Sequence, residues 1–372
     1  MHDVTRRGIL TAAAASAAGF VDAAVHEQSV DPHPAQSNVL RRIAFGSCAD
    51  QDKEQPIWDA ILAAKPDLFI FLGDNIYGDT EDMTELRARY AKLASKPGFI
   101  KLRETVPIAA IWDDHDYGAD DSGAEYPRAR ESKQIFLEFF GEAAASPRWA
   151  RDGAYASYLF GPSGRRVQLI MPDLRTHRAP LKSLSMTKRE YRMWAAGFER
   201  RGEPVPGPKI RNPDPQISMM DERQWRWLEN CLKTPADVRV FCSSIQVLAD
   251  FPGWEAWVNY TCDHQRLIEL IRTTKASGVV FISGDTHYGE ISRLDVNVPY
   301  TLWDITSSGL TETWPVLPPN VHRVGDAVRE NNFGVIEIGW DGPAPKLQAK
   351  VCQKDGVCRI DQALDLAELV VA

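Results

Sequence analysis

Four short apolar segments of this chain each end in side chains able to hold a cation. Cys48 follows the segment from Arg42 to Gly46, and Asp74 with Tyr77 follows the run from Leu68 to Leu72. Asp113, Asp114, His115 and Asp116 follow Pro107 to Trp112, and Asp285 with His287 follows Gly278 to Ser283. Taken singly, each ending has a plain structural reading: a solvated turn, a satisfied histidine, or a thiol acting as a small hydrophobe. Taken together they pose an electrostatic problem. Carboxylates gathered in one place repel each other and hold their protons unless cations neutralise them. A two-metal centre resolves this, with one shared carboxylate bridging ions that clamp a phosphate and activate a water. Asp74 is the expected bridge. A thiolate and a phenolate beside carboxylates suit a redox-capable iron better than magnesium.

Such a centre needs strands that deliver all four endings to one place. Unbroken apolar runs bounded by turn residues read as strands buried on both faces, and ligands bind at the carboxyl ends of such strands. The four segments fit, with Gly73 allowing the tight turn into Asp74. They are expected as successive parallel strands of one sheet, Asp74 on its central strand. Helical patterns run over 57–65, 83–96, 131–140, 221–232 and 264–273, with Asp221 the expected N-cap of the fourth. Residues 155–160 and 166–171 read as a hairpin and 238–242 as a further strand. Alternating strands and helices make a layered α/β domain. The segments 300–307, 333–340 and 346–352 are expected to close a second sheet. Residues 178–215 are rich in basic residues and proline with little periodicity, and read as an insertion or lid near the site.

Composition narrows the function classes. The 372 residues are 44% hydrophobic and 25% charged, an ordinary soluble balance and long enough for a large core with insertions. A net charge of −8 argues against a nucleic-acid partner. The six cysteines form no CxxC pair, which argues against a structural zinc. Cys352 and Cys358 flank an Asp-Gly turn signal, so a cross-hairpin disulfide is feasible in an exported protein. Arg6 and Arg7 precede an alanine-rich apolar run to Val21. Residues 1–24 therefore read as a twin-arginine export signal, the alternative being an alanine-rich helix of the fold. Residues 25–38 read as a linker into one domain over 39–372. No apolar run is long enough to span a bilayer comfortably. The expected location is periplasmic or extracellular, reached through the twin-arginine machinery. The oligomeric state stays open.

The motifs FGSC (45–48), GDNIY (73–77), WDDHD (112–116) and GDTH (284–287) resemble the metal motifs of the calcineurin-like metallophosphoesterases. More closely they resemble the PhoD-type alkaline phosphatase branch, in which a cysteine follows the first strand. The likeness runs from about Arg42 to Trp340 and includes residues 221–228 and 243–246. It implies two packed mixed β-sheets flanked by helices. By resemblance, Cys48, Asp74, Tyr77, Asp114, Asp285 and His287 are the metal ligands. His115 is the histidine that faces the phosphate, with Asp116 as its orienting carboxylate. Cys48 stands where the wider family has a D-x-H pair, and Asp114 and Asp285 stand where it has Asn and His. These oxygen donors favour calcium at the second position, and the branch is known for iron with calcium. Zinc or manganese also suit such a centre. Whether Asp50, Asp52 or Asp113 adds a ligand stays open.

The expected reaction is hydrolysis of a small phosphoester by in-line attack of metal-bound hydroxide, with cationic His115 at the leaving oxygen. Arg175 is expected to steady a phosphate oxygen, the alternative being a salt bridge to Asp173. A phosphodiesterase or phospholipase D-like activity on the same fold is the second reading. A non-catalytic exported calcium-binding module is the third, and it leaves His115 and Cys48 without a purpose. A cysteine phosphatase is set aside, because Cys48 is followed by Asp50 and Asp52, which would repel the anion.

Overall fold

Leu68–Leu72 is apolar and buried at all five positions, so the strand it forms must be covered on both faces. The computed structural model describes residues 29–371 apart from 251, 252, 315 and 343. The expected export signal and the first part of the linker lie outside the described residues.

The chain begins β1 (Arg42–Gly46), α1 (Ile57–Ala63), β2 (Leu68–Leu72), α2 (Met83–Ala94), α3 (Pro97–Thr105) and β3 (Ile108–Ile111). A single helical turn, α4 (Asp114–Tyr117), and then α5 (Ala129–Phe139) lead to the hairpin strands β4 (Ala156–Phe160) and β5 (Val167–Met171). Next come α6 (Lys188–Arg201), α7 (Glu222–Lys233), β6 (Val238–Cys242), α8 (Thr261–Thr273) and β7 (Val279–Ser283). The chain closes with β8 (Gly289–Leu294), β9 (Leu302–Ser307), β10 (Asn332–Gly339), β11 (Lys346–Gln353) and β12 (Cys358–Asp365). Asp221 caps α7 by accepting the Gln224 N–H at 2.8 Å, as its sequence position implies.

Two six-stranded mixed sheets result, ordered β12-β11-β10-β1-β2-β3 and β4-β5-β6-β7-β9-β8. β1, β2 and β3 are parallel, and β10 runs antiparallel to β1. In the second sheet β5, β6, β7 and β9 are parallel, with β4 and β8 as antiparallel edges. The sheets pack together through β10 and β11 against β8 and β9. On the outer face of the first sheet Trp58 of α1 meets Phe69, Phe71 and Phe99 at centroid distances of 5.7–5.9 Å. Truncating the buried Trp58 to alanine would cost about 3–5 kcal/mol.

Three sequence expectations are corrected here. The four metal-bearing strands are not neighbours in one sheet: β1, β2 and β3 lie in the first, with β2 the middle of that parallel trio, and β7 lies in the second. Of the tail segments, β9 belongs to the second sheet, while β10 and β11 extend the first beside β1. The described part of the linker is docked. Asp31 Oδ2 accepts from the Arg151 guanidinium at 2.8 Å and the Ser157 N–H at 2.9 Å. The His33 ring sits 5.0 Å from Phe160 and 5.1 Å from Tyr158.

Candidate metal centre

The turns after β1, β2 and β7 hold their side chains inward by unusual backbone. Cys48 (φ 63°), Asp74 (φ 47°), Asp285 (φ 72°) and His287 (φ 62°) all sit in the left-handed region. Each such non-glycine residue costs about 1–3 kcal/mol, and such costs persist where the surroundings over-determine the geometry. Gly73 (φ 99°) makes the approach possible, since a Cβ there would stand 2.4 Å from Asp113 Cβ. Gly284 does the same between the sheets, where a Cβ would meet Ser47 Oγ at 2.6 Å.

The result is two groups of donors sharing Asp74. Ligand atoms of Cys48, Asp74 and His287 lie within 4.8 Å of one another, and Asp74, Asp113, Asp114 and Asp285 form a second such set. Cys48 Sγ is 3.3 Å from Asp74 Oδ2, and Tyr77 Oη is 3.1 Å from His287 Nε2. All six residues expected to hold metal therefore converge, and Asp113 joins them. His115 also reaches Asp74 and Asp114 within the same limit. A further set, Asp114, Asp121 and Glu255, shares Asp114 with the second.

The expected supporting roles are redistributed. Asp116 does not orient His115. It is buried and accepts from the Asp113 N–H at 2.7 Å, the Tyr90 hydroxyl at 3.2 Å and the Asn75 amide. Asp116 thus closes the capping box of α4. The carboxylate on the histidine is Asp79, whose Oδ1 lies 2.7 Å from His115 Nδ1. Arg175 neither faces solvent nor pairs with Asp173 through its guanidinium. It is fully buried, its Nε donating to Asp113 and its Nη2 to Glu255 at 2.6 Å. Asp173 Oδ1 accepts the Arg175 backbone N–H at 2.9 Å.

Several residues of the site went unread in the sequence. Asp79 closes the same motif as Asp74, five residues on, and was legible in principle. Ser244 donates to Asp113 at 2.7 Å. Glu255 binds Arg175 and Arg178, and Lys209 pairs with Asp121. No local pattern marks Glu255 or Lys209. Asp74, Asp114, Asp285 and His287 line a pocket of about 260 Å³ together with Asp120, Asp121, Lys209, Trp254, Trp314 and Pro318. The segment 178–215 therefore borders the site through Lys209, and it contains α6, started by a Thr187–Glu190 capping box.

The family model of the PhoD-like phosphatases matches residues 43–332. The chain belongs to this family. PhoD-like phosphatases are phosphoric ester hydrolases. A curated relative, alkaline phosphatase D of Bacillus subtilis (strain 168), is 23% identical over 311 residues. That alignment takes in 73% of this chain and 50% of the relative, so the chain spans about half the length of the curated relative it matches. The solved structure of PhoD superposes with a TM-score of 0.62 at 17% identity, covering 90% of this chain and 73% of that one. A dimetal phosphatase from Danio rerio superposes with a TM-score of 0.52 at 15% identity, covering 90% of this chain and all of that one. At these identities the structural matches speak to the fold.

The charges of this PhoD-like site fit bound cations. Asp74 Oδ1, Asp113 Oδ2 and Asp114 Oδ1 are buried without a hydrogen-bond partner among the described residues. Buried carboxylate oxygens are rarely left so unless an ion or water completes them. Burial, then the Cys48, Asp114 and Asp113 charges, push Asp74 well above the usual carboxylate range. Burial together with Asp113, Glu255 and Asp114 does the same to Asp285. Burial raises the Cys48 thiol to about 12, against hydrogen bonds from Ser308 and Ser47. Burial opposes charge on Asp114 as well, yet Arg175 and His115 hold it below the usual range. His287 is lowered to about 4 by burial and is thus a neutral donor. The donor set of thiol, phenol, imidazole and carboxylates suits more than one metal ion.

Proposed function

We propose that this chain hydrolyses small phosphoesters at a centre of two or more metal ions held by Cys48, Asp74, Tyr77, Asp114, Asp285 and His287. One observation carries the reading: donors from two sheets converge on Asp74 beside a histidine already paired to a carboxylate. Ions bound there supply the positive charge that stabilises a phosphoryl group and activates a water. Iron with calcium suits the soft and hard donor groups best, with zinc or manganese as further candidates.

The protein's own part is to position and to move a proton. Asp74 faces both groups of donors and is the shared carboxylate. His115 sits where burial alone would lower its pKa, but Asp74, the hydrogen bond to Asp79, and Asp114 raise it to about 11. With Nδ1 held by Asp79, Nε2 is the ring nitrogen left to meet the leaving oxygen as hydrogen-bond donor and general acid. Arg175 acts from behind, bridging Asp113 to Glu255 while Ser244 also donates to Asp113, so that the Asp114 turn keeps its aim. The Cys352–Cys358 disulfide and the twin-arginine pattern support an exported protein, periplasmic or extracellular. The test is turnover of 4-nitrophenyl phosphate and bis(4-nitrophenyl) phosphate before and after chelation, with metal analysis of the same sample. The expected result is turnover that chelation abolishes. Turnover unaffected by full metal removal, or none on either ester with metals bound, sinks the proposal.

A further inference from the structure

We infer that the Trp254–Trp314 wall of the pocket is a subsite that selects phosphoesters carrying a planar ring substituent. This inference rests on the phosphoesterase reading above and adds to it what lies beyond the phosphorus. The pocket is lined by two kinds of group. One is charged, with Asp120, Asp121 and Lys209, the last two paired with each other. The other is aromatic: the Trp254 and Trp314 rings lie 5.8 Å apart at 71°, an edge-to-face pair. Desolvating the charged groups against an apolar one is unfavourable, so an apolar substituent is better placed on the indoles.

Both indoles are tied to the metal-centre residues. The Trp314 ring lies 6.3 Å from the His287 ring, and its backbone N–H donates to the His287 carbonyl at 3.1 Å. Trp254 directly precedes Glu255, whose carboxylate is locked between Arg175 and Arg178. Its carbonyl accepts from the Asn259 amide at 2.7 Å. Tyr191 of α6 packs on Trp254 at 6.5 Å, so the inserted segment buttresses this wall. Trp314 nevertheless stays 39% exposed. A partly exposed indole beside His287 offers a stacking platform close to the phosphoryl position. Its chemistry favours a planar ring, aryl or nucleobase, over an alkyl group.

Two measurements on the metal-loaded protein test this. In the first, calorimetry gives the affinities for phenylphosphonate, hexylphosphonate and methylphosphonate, none of which carries an ester bond. Wild type should prefer phenyl to methyl by about tenfold, the worth of one stacking contact, with W314A reducing the ratio to about one and W314F keeping most of it. In the second, rates on phenyl 4-nitrophenyl and methyl 4-nitrophenyl phosphate share one leaving group, and W314A and W254A should lower the phenyl-to-methyl ratio of kcat/KM. A ratio unchanged in both variants overturns the subsite. Equal affinity for the hexyl and phenyl probes, lost together in W314A, overturns the selection for a plane. Absence of turnover on both 4-nitrophenyl phosphate and bis(4-nitrophenyl) phosphate instead removes the underlying phosphoesterase reading.

Discussion

His115 Nδ1 and Asp79 Oδ1 stand 2.7 Å apart, although 36 residues of chain separate them. The bond fixes which ring nitrogen faces the pocket and supports the positive charge on the ring. Asp79→Asn keeps the shape and removes the charge. It should lower kcat about 10- to 100-fold on alkyl phosphates, where leaving-group protonation matters, and less on 4-nitrophenyl phosphate. Because Asp79 is one of the groups that raise His115, its removal lowers that pKa. The alkaline limb of the rate profile should then move to lower pH, and an unmoved limb would count against the acid role.

Asp74 is shared by both groups of donors, so Asp74→Asn should disable both at once. Activity should fall by a factor of about a thousand or more, and elemental analysis should show loss of more than one ion per chain. In the metal-free state the same change removes a buried carboxylate whose charge burial opposes. The apo variant should therefore match or exceed apo wild type in urea midpoint. Full metal content in the variant would be the contrary result.

Metal uptake should release protons. Cys48 is raised to about 12, and Asp74 and Asp285 are raised above the carboxylate range. Cys48 at about 12 holds its proton at neutral pH until a cation displaces it, and the raised carboxyls add to the same trend, so affinity should grow with pH. Titration of apo protein at pH 7 in buffers of different ionisation enthalpy should give at least one proton released per chain. For the apo fold the sign is the same: protonated Cys48 and Asp74 suit the buried site, and that stability is lost as pH rises through their raised pKa values.

Arg175 is the cation between Asp113, Asp114 and Glu255, all buried. Arg175→Met leaves those carboxylates uncompensated and should cost about 3–5 kcal/mol of apo stability. Urea unfolding with and without metal checks this, and bound ions should recover part of the loss.

The hairpin disulfide closes a short loop, so Cys352→Ala with Cys358→Ala should cost only about 2 kcal/mol. Thermal unfolding in the presence and absence of reductant should show reductant sensitivity in wild type alone.

The site was more legible than the sheets around it. Strands such as β2 and β7, buried at every position, announce themselves as apolar runs, and the turns after them carry the ligands. The edge strand β12 is largely exposed, and its mixed residues gave no strand pattern. α6 hid in a basic, proline-flanked segment although its capping box was there to be read. Which sheet a strand joins depends on pairing across long separations, as β1 with β10 shows, and no local pattern carries that. The same holds for Glu255 and Lys209, whose roles come from partners 80 and 88 residues away. Arg175 illustrates a different gap: its neighbour Asp173 suggested a local pair, but the fold supplied Asp113 and Glu255 from 62 and 80 residues away.

Cys48, Asp74 and Asp114 come from one sheet and Asp285 and His287 from the other, so an ion held by the full set would sit across the seam between the two sheets. The centre exists only once the sheets have docked, so a bound ion acts as a latch across their seam. Its capture free energy belongs to the fully assembled fold. Separating the sheets would break up the full set of donors and loosen any ion held across it.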